Sequence, residues 1–139
     1  MTREELREIP ELAKQIARHE DRLYYLEQKA ICVPAIEPKE KVQTSVVDHG
    51  NREADMAIDL TREIEEERRY LTEKQDEAER FFRGFDFDYD ERTLLKCRYI
   101  WCMTWSQIAD SMHADERNTR RKHGGLMDRM FGPWEEHEA

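Results

Sequence analysis

Arg117, Arg120, Arg121 and Lys122 crowd into the seven positions 117–123. A guanidinium offers a planar fork of donors that matches the major-groove edge of guanine, and any of these cations can hold a phosphate. The chain around them is acidic. It has 23 Lys and Arg against 32 Asp and Glu, a net charge of −9. Between positions 91 and 131, however, eight basic residues meet five acidic ones, a net of +3, which leaves −12 for the rest. A basic module carried on an acidic body is the electrostatic pattern of a nucleic-acid reader, masked by a low overall isoelectric point.

Other chemistry has weaker support. Cys32, Cys97 and Cys102 are odd in number and form no Cys-x-x-Cys pair, so they read as free thiols of a reducing compartment. The five histidines lack zinc-ligand spacing to the cysteines. His19 falls in an apolar seam and reads as a polar register-setter, because nothing beside it in sequence can share a metal. Asp86, Asp88 and Asp90 alternate with aromatics as at the start of a calcium loop. The sixth and twelfth positions of such a loop would be Glu91 and Cys97, where Gly and Glu are required, so calcium is set aside. No Gly-rich phosphate loop, nucleophile motif or apolar pair of carboxylates is present. The reading is of a non-enzyme with no metal and no cofactor.

Charged residues make up 40% of the chain, and Gly and Pro together number nine, a composition that suits solvated helices and an all-α fold. No apolar run reaches the length of a membrane span, and the opening MTREELREIP lacks a signal peptide's apolar segment. A soluble cytoplasmic protein is expected. Thr2 and Glu5 have capping-box spacing, while Pro10 either kinks the opening turns or marks the true helix start. Ile9, Ile16, Leu23 and Ala30, with Leu12, His19 and Leu26 between them, form a heptad seam on a first helix ending near Ala30. A polar loop is expected at about 34–50, although VQTSVV within it could pair as a short strand. Asn51 caps a second helix to about Arg83, with Ala57, Ile64, Leu71 and Ala78 every seven residues and Leu60, Glu67, Lys74 and Phe81 as companions. Residues 1–83 thus read as a coiled-coil-like helical hairpin that also sets a homo-oligomeric state, a dimer by preference.

Residues 84–134 read as a separable three-helix module, with 88–134 expected to fold alone and 135–139 as an acidic tail. Asp90 caps a helix with Leu94, Leu95, Tyr99 and Ile100 on one face. Thr104 and Gln107 form a second capping box ahead of the stripe Trp105, Ile108, Ala109 and Met112. After the turn Met112, His113 and Ala114, Asp115 caps a third helix, on which Thr119, Leu126 and Met130 face inward with His123 between them. Two short helices, a three-residue turn and a basic second helix have the form of a helix-turn-helix. The expected DNA-contact set is Arg117, Asn118, Arg120, Arg121 and Lys122, with Glu116 beside them and Thr104 at a helix N-terminus that offers amides to phosphate. Gly124 and Gly125 inside the third helix cost it on the order of 2 kcal/mol.

Leu94, Leu95, Arg98, Tyr99, Thr104, Trp105, Gln107, Ile108, Ala109 and His123 also form a recognisable set. The pattern Leu-Leu-x-x-Arg-Tyr, a short gap, Thr-Trp-x-x-Ile-Ala and a later His resembles phage and prophage regulators of the ArpU/RinA type, whose C-terminal part is similar to region four of bacterial sigma factors. The layout of most of the chain is similar too, but the specific motifs lie in the last 45 or so residues. The resemblance implies sequence-specific DNA binding in the control of late phage genes in a bacterial host, with contact to RNA polymerase as a further implication. His113 stands where such modules usually carry Gly, and Thr119 where Val is usual. Two rival functions share the composition: a small-terminase-like DNA-packaging subunit, and a polymerase-binding adaptor without DNA affinity.

Overall fold

The computed structural model describes the backbone of residues 1–32 and 44–133 and the side chains of residues 1–31 and 52–133. Among the described residues there are helices and connecting turns and no strand: α1 Arg3–Cys32, α2 Thr44–Arg83, α3 Tyr89–Leu95, α4 Trp105–Ser111 and α5 Glu116–Phe131. The all-α expectation holds. None of these helices is long and apolar enough to cross a membrane.

The Thr2 cap forms as its spacing predicts, with its hydroxyl accepting from the Glu5 amide at 3.1 Å. Pro10 therefore lies inside α1 and not at its start; it is buried, and it removes the N–H that would reach back to the Leu6 carbonyl. Helix α2 begins seven positions ahead of the expected cap at Asn51. Thr44 to Val47 are helical, so the VQTSVV segment does not extend as a strand there; positions 42 and 43 lie outside the described residues, as do the rest of the expected loop from 34 and the tail at 135–139. A single glycine and a few β-branched residues cost a helix only about 1 kcal/mol or less each, which a long helix tolerates.

The chain divides into two compact units. One is Lys14–Tyr70, taken from α1 and α2. Ile16, Leu26, Ala57, Leu60 and Ile64 are buried there, as the heptad spacing predicts. Polar side chains join the two helices: Gln15 Nε2 donates to Glu67 Oε2 at 2.8 Å, His19 Nδ1 lies 2.8 Å from Glu67 Oε1, and Arg68 pairs with Glu20.

The other unit combines the described residues of Met1–Ala13 and Leu71–Ala139. The sequence reading placed the boundary at residue 83; the packing instead places both the first turns of α1 and the last turns of α2 in the C-terminal core. Leu6, Ile9, Ala78, Phe82, Phe87, Leu94, Leu95, Cys97, Tyr99, Ile108, Leu126 and Met127 form one buried cluster. Phe81 stacks on Phe131 with centroids 5.3 Å apart. Arg3 spans the full length of the unit in sequence, its Nη2 donating to the Gly132 carbonyl at 2.6 Å while its guanidinium lies over the Phe131 ring.

Two details of the connector differ from expectation. The cap of α3 is Asp88, not Asp90: its carboxylate accepts from the Glu91 amide at 2.8 Å, and Glu91 Oε1 accepts from the Asp88 amide at 2.9 Å. Burial of Phe87 fixes the chain one residue before Asp88, so the helix starts there. Beyond Leu95 the helix widens into a π-helical turn over Lys96–Ile100, with the Trp101 amide bonding back to the Lys96 carbonyl at 2.9 Å. The extra residue per turn lets Cys97 and Tyr99 both point into the core, whereas regular α-helical spacing from Leu94, Leu95 and Tyr99 does not include Cys97 in the buried face. Gln75 Nε2 closes this turn, donating to the Tyr99 and Ile100 carbonyls at 3.0 and 2.9 Å.

Candidate nucleic-acid interface

Local chemistry builds the α4–α5 pair. Thr104 Oγ1 accepts from the Gln107 amide at 3.2 Å, and Gln107 Oε1 accepts from the Thr104 amide at 2.9 Å, which starts α4 where the capping box predicts. The turn closes with the Ala114 amide on the Ala109 carbonyl at 2.9 Å, and His113 takes the left-handed conformation at φ 54°. This six-to-one bond with a left-handed residue before it is the usual end of a helix, and His adopts that conformation more readily than most side chains. Asp115 then accepts from the Asn118 amide at 2.7 Å and starts α5.

Thr119, Leu126 and Met127 are buried, His123 and Met130 partly so. Met130 faces inward as its spacing predicts, packed against the core, and Met127 is buried as well. At about 100° per residue, the direction opposite this buried stripe carries Arg117 and Arg121, with Asn118, Gly124 and Gly125 next to them. Arg120 and Lys122 lie on the two flanks. Arg117, Asn118, Arg120, Arg121 and Lys122 are all exposed, as are Glu116 and Thr104.

The expected contact set separates by partner. Arg120 pairs with Glu116 at 3.0 Å and lies over the Trp105 ring at 5.5 Å. The Asn118 amide group donates to Asp115 Oδ2 at 3.1 Å, and Thr104 is engaged in its cap. Arg117, Arg121 and Lys122 make no ion pair or hydrogen bond among the described residues. Arg121 and Lys122 border a cleft of about 740 Å³ that also reaches Tyr89 and His113.

Beneath α5 lies a cluster absent from the site set read from the sequence. Tyr99 Oη and His123 Nε2 share a 2.6 Å hydrogen bond. The Trp105 ring meets His123 edge-on with centroids 4.8 Å apart, and the Arg98 guanidinium covers Trp105 at 4.4 Å while donating to the Met103 carbonyl at 3.2 Å. Burial, then the charges of Arg98 and Arg3, lower the His123 pKa to about 4; burial raises that of Tyr99 to about 12. Both are therefore neutral near pH 7. Four residues of the sequence motif, Arg98, Tyr99, Trp105 and His123, thus join the π-helical turn, α4 and α5. The exposed cations of α5, apart from the spacing of the helix, are not part of that motif.

Gly124 and Gly125 are helical and exposed, and a Cβ at either would meet nothing within 4 Å. Replacing each by Ala is expected to raise stability by about 0.5–1 kcal/mol, read as a rise in melting temperature, because the only change is the helix propensity. Cys97 and Cys102 are free, and burial raises the pKa of both thiols.

No family model, no curated protein and no solved structure matches this chain.

Proposed function

We propose that α4, the turn and α5 form a helix-turn-helix that reads double-stranded DNA, with α5 in the major groove, in sequence-specific control of phage or prophage transcription. The observation that carries this reading is the outer face of α5. Arg117 and Arg121 project from it with no ion pair or hydrogen bond among the described residues, Gly124 and Gly125 leave the next turn bare for close approach, and the opposite face is fixed in a core. Arg117 and Arg121 read base edges; Lys122 and Arg120, on the flanks, face phosphates. The Asn118 amide group and Glu116 hold the helix start and Arg120 in place.

A single module with few groove-facing bases rarely reaches operator affinity, so the protein acts as a homo-oligomer, a dimer in the simplest case, and contacts RNA polymerase once bound. Ile16 is buried and Leu23 partly buried within one chain, so the heptad seam is occupied internally; Tyr24, Tyr25, Ile31, Ile58 and Tyr70 are exposed on α1 and α2, and a second copy would cover some of them.

Selection from a random DNA pool, with oligomeric mass measured on the same sample, tests the proposal. A preferred sequence should emerge. Arg117→Ala should cost about 1–3 kcal/mol and loosen one base position, whereas Lys122→Ala should weaken all sequences alike and lower the salt slope by about one. A ring of eight or more subunits would favour a packaging protein of the small-terminase kind. No preferred sequence at low salt, with both variants like the parent, would leave the polymerase-binding adaptor.

A further inference from the structure

We propose that His19, Glu63 and Glu67 form a binding site for one divalent transition-metal ion of the zinc class, which ties α1 to α2 within Lys14–Tyr70. One ligand atom from each of the three residues lies within 4.8 Å of the others. His19 Nδ1 and Glu67 Oε1 are 2.8 Å apart. An ion with bonds of about 2.0–2.2 Å to nitrogen and oxygen in tetrahedral geometry sets its ligand atoms roughly 3.4 Å apart, so this pair needs to open by about 0.6 Å, within reach of side-chain rotation. Glu63 precedes Glu67 by one helical turn and shares its face. It is exposed, so its carboxylate can swing onto the ion at little cost.

The other two ligands are more constrained. The side chains of His19 and Glu67 are 26% and 13% exposed, next to the buried Ile16 and Ile64. Gln15 Nε2 holds Glu67 Oε2 at 2.8 Å, which leaves Oε1 directed at His19. A hydrogen bond of that kind, from behind a ligating carboxylate, orients the ligand for its metal. Two carboxylates alone would suit calcium or magnesium and would be common on an acidic surface. The imidazole nitrogen shifts the preference to zinc and its neighbours in the first transition row, and three protein ligands leave a tetrahedral position for water.

The test uses the full chain, stripped with a chelator and titrated with zinc chloride by calorimetry and with cobalt chloride by visible absorption. One ion per chain, a cobalt band in the visible region and a rise in melting temperature with zinc are expected, with no such rise for magnesium. Glu63→Gln and His19→Gln should each weaken zinc binding roughly tenfold or more. Glu63→Gln alters an exposed side chain, so its circular dichroism should equal the parent's, and it keeps the test valid if His19→Gln perturbs the helix pair. Zinc affinity unchanged in Glu63→Gln, or no binding at millimolar zinc, would overturn the proposal.

Discussion

A fragment of residues 88–134 is expected to show little helical circular dichroism and no cooperative melt, although it contains α3, α4 and α5 entire. It lacks Leu6, Ile9, Ala78, Phe82 and Phe87, all buried in the same cluster as Leu94, Leu95, Ile108 and Leu126. Burying a large apolar side chain contributes about 1.5–3 kcal/mol, so removing Leu6, Ile9, Phe82 and Phe87 removes roughly 6–12 kcal/mol. That is of the order of a small domain's whole stability. The fragment also loses Gln75, which leaves the Tyr99 and Ile100 carbonyls at the end of the π-helical turn without their donor. In the full chain, Leu6→Ala should cost about 2–5 kcal/mol by urea denaturation, read at the C-terminal tryptophans. A fragment that melts cooperatively as a helical species would show that the first turns of α1 are not needed.

The second large effect concerns acidity. In the folded chain the His123 pKa is lowered to about 4, chiefly by burial, and in the unfolded chain it returns to about 6.5. Above pH 6.5 both states hold the imidazole neutral, and it adds no pH dependence. As pH falls from 6.5 toward 4, the unfolded chain takes up a proton that the folded chain refuses. Stability therefore falls with falling pH across that window. At about 1.4 kcal/mol per pKa unit the loss approaches roughly 3 kcal/mol. Carboxylates titrate at the lower end of the same range, and Glu5, held low by its hydrogen bond from Lys74, adds its own loss there. The informative quantity is thus a difference: His123→Gln should lose less stability than the parent between pH 7 and pH 5. Parallel losses in the two proteins would mean that His123 is already open to solvent in the folded state.

How much of this was legible in the sequence follows from how local each feature is. The caps at Thr104 and Asp115 are decided within four or five residues, and each formed as its spacing predicts; the left-handed conformation of His113 is equally local, at the site where the resembling modules carry Gly. The cap at Asp88 was not legible, because Asp88 and Asp90 are chemically alike and the choice rests on Phe87 entering a core assembled from distant segments. Cys102 also adopts a left-handed conformation, φ 49°, with no glycine or asparagine to signal it; it follows a widened turn that periodicity does not reveal. His19 and Glu67 occupy the polar places of two separate seams. Only the register between α1 and α2 makes them neighbours, and no pattern along one helix contains that register. The outward direction of Arg117 and Arg121 was partly legible, since inward Thr119 and Leu126 fix the helix's rotation. That Arg120 pairs with Glu116 and lies over Trp105 needed the structure.

The hydrogen bond from Arg3 to the Gly132 carbonyl joins residues 129 positions apart. Synthesis makes the first of these partners long before the second. At about 5–20 residues per second, Leu6 and Ile9 leave the ribosome roughly ten seconds before Leu126 and Met127 exist to cover them. Until Ala78 and Phe82 emerge the opening turns of α1 present an uncovered apolar stripe, and until α5 follows they are covered only in part, a ready substrate for a chaperone or for a neighbouring nascent chain. The core cannot be completed before α5 is made, so its last contacts join segments far apart in sequence, the kind of contact that slows folding.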